Sequence, residues 1–154
     1  MQVGTNISIF LAEYLIWVCA LVIPFLILKS EPHDIVRIVV AVVLAFTISE
    51  VLKTLTSVPR PFVAADVEPL ISVPQREFYA SFPSGHAAFT AALATGLFFT
   101  DKLAGLAFFV IAVLVGWGRV LVGVHYPLDI LGGFGVGITV AVAVNFLHGL
   151  FPVW

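Results

Sequence analysis

Long hydrophobic runs, separated by short polar segments, dominate the pattern of this sequence. A helix needs about 20 apolar residues to cross the roughly 30 Å hydrocarbon core of a bilayer. Five runs approach or reach that length, and the third is the shortest: Ile7–Leu28, Ile35–Leu55, Pro83–Phe99, Leu103–Leu121 and Pro127–Phe146. Each run is expected to be helical, because backbone groups cannot be left unpaired in lipid. The pattern predicts an all-α integral membrane helical bundle with about five transmembrane helices, in which residues 1–154 form a single membrane-embedded domain.

One connection is much longer than the others, the loop Arg60–Phe82. Proline removes a backbone donor and clashes with the preceding turn, so the prolines of this loop prevent a continuous helix. They are Pro61, Pro69 and Pro74. The loop also mixes apolar and charged side chains, which predicts a segment at the membrane interface that lies over the helix ends.

The composition agrees with a lipid environment. Hydrophobic residues make up 61% of the chain, against roughly 45–50% in soluble domains. Charged residues make up only 10%, and the mean hydropathy is +1.14. The net charge of −2 provides no basic surface for nucleic acid. A single cysteine, Cys19, excludes an internal disulfide framework and is interpreted as a buried structural thiol.

Small residues recur at intervals of four residues in two of the predicted spans. They are Ala88, Ala92 and Gly96 in the third span, and Gly133 and Gly137 in the fifth. Such faces let membrane helices approach closely. Packing inside one protomer is favoured over a dimer interface, and the oligomeric state stays open.

Three groups of polar residues remain when the short turns are set aside. They are Lys53 with Arg60, the segment Ser81–His86, and Arg119 with His125 and Asp129. Ionisable groups near membrane depth are costly, and they are therefore functional candidates by default. The third and fourth spans form a hairpin between the second and third groups. Counting spans therefore places all three groups on one side of the membrane.

The cations of these groups suit a phosphoryl centre. Lys53, Arg60 and Arg119 supply three positive charges, and a transferred phosphoryl group spreads its charge over its equatorial oxygens. Arginine adds a planar fork that binds two oxygens at once. These three residues are predicted to bind phosphate.

The segment after Pro83 is predicted to add a helix N-terminus to the same site. Proline is favoured at the first position of a helix, so Ser84, Gly85 and His86 would lie in its first turn. Unpaired N–H groups in such a turn form a natural anion site. Gly85 also lets the backbone approach a ligand closely.

Two histidines suit a transfer in two steps. Asp129 follows His125 by four residues, so it can bind one imidazole nitrogen and leave the other free to attack phosphorus. His86 would then protonate the leaving group and later activate water. No carboxylate cluster suggests Mg²⁺, and two histidines beside three cations make a poor zinc site. Neither a metal nor a cofactor is expected.

Three motifs therefore occur in order along the chain, and they resemble a known family. They are Lys53-x6-Arg60-Pro61, Pro83-Ser84-Gly85-His86 and Arg119-x5-His125-x3-Asp129. In order and spacing they resemble the signature motifs of the type-2 phosphatidic acid phosphatase superfamily, which includes lipid phosphatases and vanadium haloperoxidases. The resemblance implies a helical core, a phosphohistidine intermediate on His125, His86 as the acid, and no metal requirement.

One position departs from that family pattern. Gly118 stands where the family usually has a serine before the arginine. The departure removes a possible hydroxyl contact to phosphate and leaves the reaction class unchanged.

Further segments are similar to the bacterial undecaprenyl-diphosphate phosphatases of this superfamily. They are Ala12-Glu13-Tyr14, Pro59–Ala64 and His125–Asp129. The resemblance implies conversion of undecaprenyl diphosphate to undecaprenyl phosphate in a bacterial-type plasma membrane, with the active site at the outer face. Counts of Lys and Arg on the two sides support that orientation only when the site cations are set aside. Phosphatidate or phosphatidylglycerophosphate is the alternative substrate, because the shared motifs recognise phosphate and not the tail.

Each motif taken alone also has a structural interpretation. Lys53 and Arg60 also suit a helix end anchored at the interface. His86 also suits a polar helix start, and Arg119 with Asp129 an ion pair. A channel or transporter is a remote alternative, but no polar stripe continues through the spans. A haloperoxidase-like vanadate binder is another, although those relatives are soluble proteins.

Four other polar residues receive separate interpretations. Glu50 precedes Lys53 by three residues, which predicts a local ion pair on one helix face. Glu13 lies within the first span and is a possible member of the site. His33 and His148 fit positions in solvent or at the interface.

Overall fold

A computed structural model describes residues 2–17 and 31–150, and this part of the chain is helical without any strand. The elements in chain order are α1 (Gln2–Ile9), a π-helical turn (Phe10–Tyr14), α2 (Pro32–Thr56), α3 (Pro61–Ala64), a 3₁₀ turn (Gln75–Glu77), α4 (Gly85–Thr100), α5 (Lys102–Leu121) and α6 (Pro127–Leu150). The predicted all-α class is confirmed. The end of the predicted first span lies outside the described residues, and so does Cys19.

Three segments are long and apolar enough to cross a membrane: Pro32–Ala64, Lys102–Leu121 and Pro127–Leu150. Helix α4 has only 16 residues, which agrees with the short third run in the sequence. Many large apolar side chains of these helices are exposed in the isolated chain, among them Val43, Val110 and Leu131. Lipid is the solvent in which such surfaces are stable, and the chain is an integral membrane protein.

Helix α4 lies at the centre of the bundle and packs closely against α6. A methyl group built on Gly137 would lie 2.4 Å from the Ala88 carbonyl oxygen and 2.8 Å from the Ala92 nitrogen. A methyl group on Gly133 would lie 2.5 Å from the Ser84 carbonyl oxygen. Only glycine permits backbones to come so close. The predicted packing of small residues inside one protomer is confirmed.

Helices α4 and α5 form a tight hairpin. The Asp101 carboxylate caps α5 by accepting hydrogen bonds from the N–H groups of Leu103 at 2.9 Å and Ala104 at 3.1 Å. Just beyond the turn, a methyl group built on Gly105 would lie 2.4 Å from the Phe98 Cα atom. The two helices therefore leave the turn in direct backbone contact.

The long loop folds over the ends of the helices. Its α3 residue Phe62 packs edge-on against Phe78, with ring centroids 5.0 Å apart. Phe62 and Ile71 also share a buried apolar cluster with Ala12 of the π-helical turn and with Val122 and Val124 beyond α5. This agrees with the prediction of a segment over the helix ends.

Candidate active site

The start of α4 and the start of α6 lie on the same side as the end of α2 and the end of α5. Each of these four helix ends carries residues of the predicted motifs. The imidazole of His86 interacts electrostatically with Arg119, His125, Lys53 and Arg60. The structure thus brings together residues that are as many as 72 positions apart in the sequence (53 to 125).

The Asp129 carboxylate is the organising centre of this site. Its Oδ2 atom lies 3.3 Å from Nδ1 of His125 and accepts hydrogen bonds from Ser81 Oγ at 2.6 Å and from the Tyr126 N–H at 2.8 Å. Both His125 and Asp129 are 2% exposed. A proton on Nδ1 that faces the carboxylate places the imidazole lone pair on Nε2. Asp129 therefore bonds to His125 and Ser81, and not to Arg119 as the ion-pair interpretation required.

His125 lies in the link between α5 and α6, outside the spanning helices, and its environment favours the neutral ring. The pKa of His125 is lowered to about 4, chiefly by burial. Within that balance the hydrogen bond to Asp129 raises the pKa, and the positive charges of Arg60 and Arg119 lower it. A neutral imidazole near pH 7 is the form that can act as a nucleophile.

The start of α4 is built as the sequence predicts, with one difference. Ser84 is the N-cap, and its Oγ accepts a hydrogen bond from the Ala87 N–H at 3.4 Å. The Ser84 N–H donates to the Asp129 carbonyl oxygen at 3.0 Å, so this donor is already used. Within the described part of the chain, the N–H groups of Gly85 and His86 have no protein partner. The anion site predicted for three N–H groups is therefore reduced to two.

Lys53 lies directly against this helix start. Its Nζ atom is 2.5 Å from the Glu50 Oε1 atom, which confirms the predicted local ion pair. A methyl group built on Gly85 would lie 3.2 Å from the Lys53 Nζ atom. The missing side chain of Gly85 therefore leaves the ammonium group next to the backbone of the helix N-terminus.

Arg60 is almost fully buried and is held by the long loop. Its Nε donates to the Glu77 carbonyl oxygen at 2.8 Å, and its Nη2 donates to the Glu77 Oε2 atom at 2.9 Å. Its Nη1 donates to the carbonyl oxygen of Val124, the neighbour of His125, at 3.3 Å. A guanidinium has five N–H donors, so two remain for a ligand. Arg60 is thus fixed in direction and still able to bind a phosphate.

Arg119 is held from another direction, by the N-terminal helix. Its Nη1 lies 3.5 Å from the Ala12 carbonyl oxygen, and its Nε is buried without a hydrogen-bond partner in the described residues. Glu13 is partly buried and interacts electrostatically with Arg119. The possible site residue Glu13 therefore lies beside a predicted phosphate-binding cation.

Sequence reasoning did not identify the roles of Glu77 and Ser81. Glu77 holds Arg60 across 17 positions, and Ser81 holds Asp129 across 48 positions. Ser81 opens the second polar group, which was a signal for its presence near the site. No spacing pattern points to Glu77.

Comparison with known proteins agrees with the motifs. Residues 34–150 match the family model described as PAP2 superfamily. The chain is 30% identical over 150 residues to the undecaprenyl-diphosphatase BcrC of Bacillus subtilis, covering 95% of this chain and 74% of that protein. It is 31% identical over 142 residues to an undecaprenyl-diphosphatase of Sulfolobus acidocaldarius, covering 88% and 68%.

Two solved structures have the same arrangement of helices. The crystal structure of Aquifex aeolicus LpxE superposes with a TM-score of 0.72 and 28% identity, covering 92% of this chain and 82% of that chain. A PAP2 type phosphatidylglycerolphosphate phosphatase of Bacillus subtilis superposes with a TM-score of 0.70 and 26% identity, covering 97% and 77%. With its helical bundle, its three converging motifs and these relatives, the chain belongs to the PAP2 superfamily.

Proposed function

We propose that this chain is a membrane lipid phosphatase that hydrolyses undecaprenyl diphosphate to undecaprenyl phosphate through a phosphohistidine on His125. The observation that carries the proposal is the contact between His125 Nδ1 and Asp129 Oδ2, at 3.3 Å. This contact leaves Nε2 of a neutral imidazole with a free lone pair, and the motif cations Arg60 and Arg119 lie nearby. This is the arrangement that nucleophilic attack on a phosphorus atom requires.

In the first step, the Nε2 lone pair of His125 attacks the terminal phosphorus of the diphosphate. The bond between that phosphorus and the bridging oxygen breaks, and its electron pair leaves with undecaprenyl phosphate. His86 donates a proton to the departing oxygen. Asp129 balances the positive charge that develops on the imidazole, as an orienting carboxylate does in other nucleophile–base pairs.

In the second step, water regenerates the enzyme. His86, now without its proton, accepts one from a water molecule whose oxygen attacks the phosphohistidine phosphorus. The P–N bond breaks, inorganic phosphate leaves, and the electron pair returns to Nε2 of His125. His86 thus serves as the acid in the first step and as the base in the second.

The motif cations stabilise the charge of the transferred group. Lys53, Arg60 and Arg119 are placed to contact the phosphoryl oxygens, together with the N–H groups of Gly85 and His86. Preorganised donors of this kind contribute more than any other single factor in many enzymes. Because Arg60 is already fixed by Glu77, it needs little rearrangement when the substrate binds.

Two properties follow from this donor set. Cations and imidazoles surround the proposed phosphate position, so hydrolysis is expected to continue in EDTA and to be inhibited by vanadate, which mimics the five-coordinate phosphoryl group. Full loss of activity with EDTA, restored by Mg²⁺, would contradict the metal-independent mechanism.

The choice of undecaprenyl diphosphate rests on two relatives that carry undecaprenyl-diphosphatase in their names. Phosphatidylglycerophosphate is the second candidate, because the superposed Bacillus subtilis structure is a phosphatidylglycerolphosphate phosphatase. The experiment is phosphate release in detergent by the full chain, with undecaprenyl diphosphate, phosphatidylglycerophosphate and phosphatidate in competition. The ratio of kcat/KM values measures discrimination and is expected to favour the isoprenyl diphosphate. A preference for either glycerolipid would overturn the substrate and leave the histidine chemistry standing.

We place the site at the outer face of a bacterial-type plasma membrane. A cysteine introduced at Glu68, an exposed residue of the long loop, tests this orientation in intact cells. An impermeant thiol reagent is expected to label this cysteine. Absence of labelling would show that the loop lies on the inner side of the membrane.

A further inference from the structure

Gly118 lies where α5 meets the N-terminal helix, one residue before Arg119. A methyl group built on Gly118 would lie 2.7 Å from the Ala12 nitrogen, 2.7 Å from Leu11 Cβ and 2.8 Å from the Leu11 carbonyl carbon. Real Cβ atoms do not approach other atoms so closely. Two of these neighbours are backbone atoms, so they can yield only if the N-terminal helix itself moves.

The N-terminal helix is irregular at this point of contact. Residues Phe10–Tyr14 form a π-helical turn, in which the Leu15 N–H bonds to the Phe10 carbonyl oxygen. Such turns are rare, and they occur frequently at functional sites. The turn carries both Ala12, whose carbonyl oxygen faces Arg119, and Glu13, which interacts with the same arginine. Ala12 is 1% exposed, so this residue of the turn is fully enclosed by its neighbours.

Among the described residues, the guanidinium of Arg119 is hydrogen-bonded to a backbone carbonyl and forms no salt bridge with a carboxylate. The 3.5 Å contact from Nη1 to the Ala12 carbonyl oxygen is long for a hydrogen bond, yet it fixes which edge of the guanidinium faces the N-terminal helix. Arg119 also interacts electrostatically with His86. The buried Nε atom has no hydrogen-bond partner in the described residues.

We infer that Gly118 is a positioning residue for Arg119. Its missing side chain admits the π-helical turn, and the Ala12 carbonyl of that turn aims the guanidinium at the phosphate. This rests on the proposed function, in which Arg119 binds the transferred phosphoryl group. A side chain at position 118 would clash with the N-terminal helix in its present position. The position of the π-helical turn therefore depends on the glycine.

The experiment uses the full chain with Gly118→Ala and Gly118→Ser. Both variants are expected to raise the inhibition constant of vanadate and the KM for the lipid by about tenfold, the order expected for weakening one charge-assisted hydrogen bond. Gly135→Ala is the matched control, because a methyl group there has no neighbour within 4 Å. It is expected to leave both constants and kcat unchanged. Unaltered vanadate inhibition in the folded Gly118 variants would overturn the inference.

A coupling measurement separates positioning from a merely structural role. In an Arg119→Lys background the guanidinium is already absent, so Gly118→Ala is expected to change vanadate inhibition less than twofold. Equal effects of Gly118→Ala in both backgrounds would show that the glycine acts independently of the arginine, and would contradict the inference. If Gly118→Ala does not fold, Ala12→Val, which enlarges a buried side chain of the same turn, is measured in the same two backgrounds.

Failure of the inference and failure of the proposed function give different results. If the unmodified chain releases no phosphate from any lipid, or if Arg119→Lys leaves vanadate inhibition unchanged, the proposed function or the role of Arg119 in it is wrong. If the unmodified chain is active and Arg119→Lys weakens vanadate inhibition while the Gly118 variants do not, only the positioning role is wrong.

Discussion

The bundle has a polar cluster at each end, and the two are built differently. The site end contains Lys53, Arg60, Arg119, His86, His125 and Asp129. The far end lies about 24 Å away along α2, since 16 residues separate Arg37 from Lys53 at about 1.5 Å each. It contains Arg37, which bonds to Asp34 and donates to Asn145 at 2.6 Å, and a stacked pair of rings, His33 and His148.

At the far end the charged side chains neutralise one another, because Arg37 is paired with Asp34. The side chains of Arg37 and Asp34 are 17% and 14% exposed, so a cation and an anion are paired in a partly buried position, where Arg37 also bonds to Asn145 of α6. At the site end Arg60 is 1% exposed, whereas its partner Glu77 is 38% exposed. Carboxylates at the edge hold the buried cations but do not use all of their donors. The difference separates a cluster that joins two helices from one whose buried cations keep donors for the proposed phosphate.

The largest expected difference between the two ends concerns their histidines. His125→Ala is expected to reduce hydrolysis by at least about a thousandfold, because the attacking nitrogen is removed. His33→Ala, at the far end, is expected to keep activity within about twofold. Trapping of labelled phosphate on the protein, alongside phosphate release, measures both. Labelled phosphate on the His125→Ala protein would show that another residue is the nucleophile.

The arginines sharpen the comparison further. Arg119→Ala is expected to lower kcat/KM by about a hundredfold, the order for lost charge-assisted contacts to a phosphoryl group. Arg37→Ala is expected to leave kcat/KM nearly unchanged and to lower the free energy of unfolding by about 1–3 kcal/mol, because the partly buried Asp34 loses its ion-pair partner. Melting in detergent and steady-state kinetics on both variants check this. A large catalytic loss in Arg37→Ala would remove the distinction between the ends.

The response to acid provides a third test. The imidazole of His125 has a pKa of about 4 in the folded protein and about 6.5 in an unfolded chain. The unfolded chain therefore binds more protons between these values, and stability falls as the pH falls from 6.5 to 4. The Tm of the unmodified protein is expected to drop more across this window than that of His125→Asn. Parallel Tm profiles would show that burial of this ring does not control the acid response.

The smallest expected effect belongs to Glu13. Its carboxylate interacts with Arg119. Its negative charge therefore repels a phosphate anion that binds to the same arginine. Glu13→Gln is expected to lower the inhibition constant of vanadate by about threefold at low salt, and less at high salt because exposed charges are screened. Glu31→Gln, at the exposed start of α2 on the far end, is the control. An increase in the constant would mean that Glu13 mainly orients Arg119.

Local geometry explains which parts of the site could be predicted from the sequence. The Lys53–Glu50 pair spans three residues of one helix, where helix periodicity brings such neighbours together. The His125–Asp129 contact also spans only four residues, from the link before α6 into its first turn. Span counting likewise placed the motifs at one end of the bundle. The contacts of Arg60 with Glu77 and of Arg119 with Ala12 span 17 and 107 positions. They depend on how the loop and the N-terminal helix pack, which no local pattern specifies.

The hairpin of α4 and α5 also sets the angular register of the site. His86 and Arg119 lie on different helices, and the Asp101 cap with the Gly105–Phe98 contact fixes where one helix ends and the other begins. One residue added to α5 would rotate everything beyond it by about 100° around the helix axis. Arg119 would then face away from His86 although every motif residue was still present. The turn at Asp101 therefore sets the rotational position of Arg119 about the axis of α5, although the turn itself carries no motif residue.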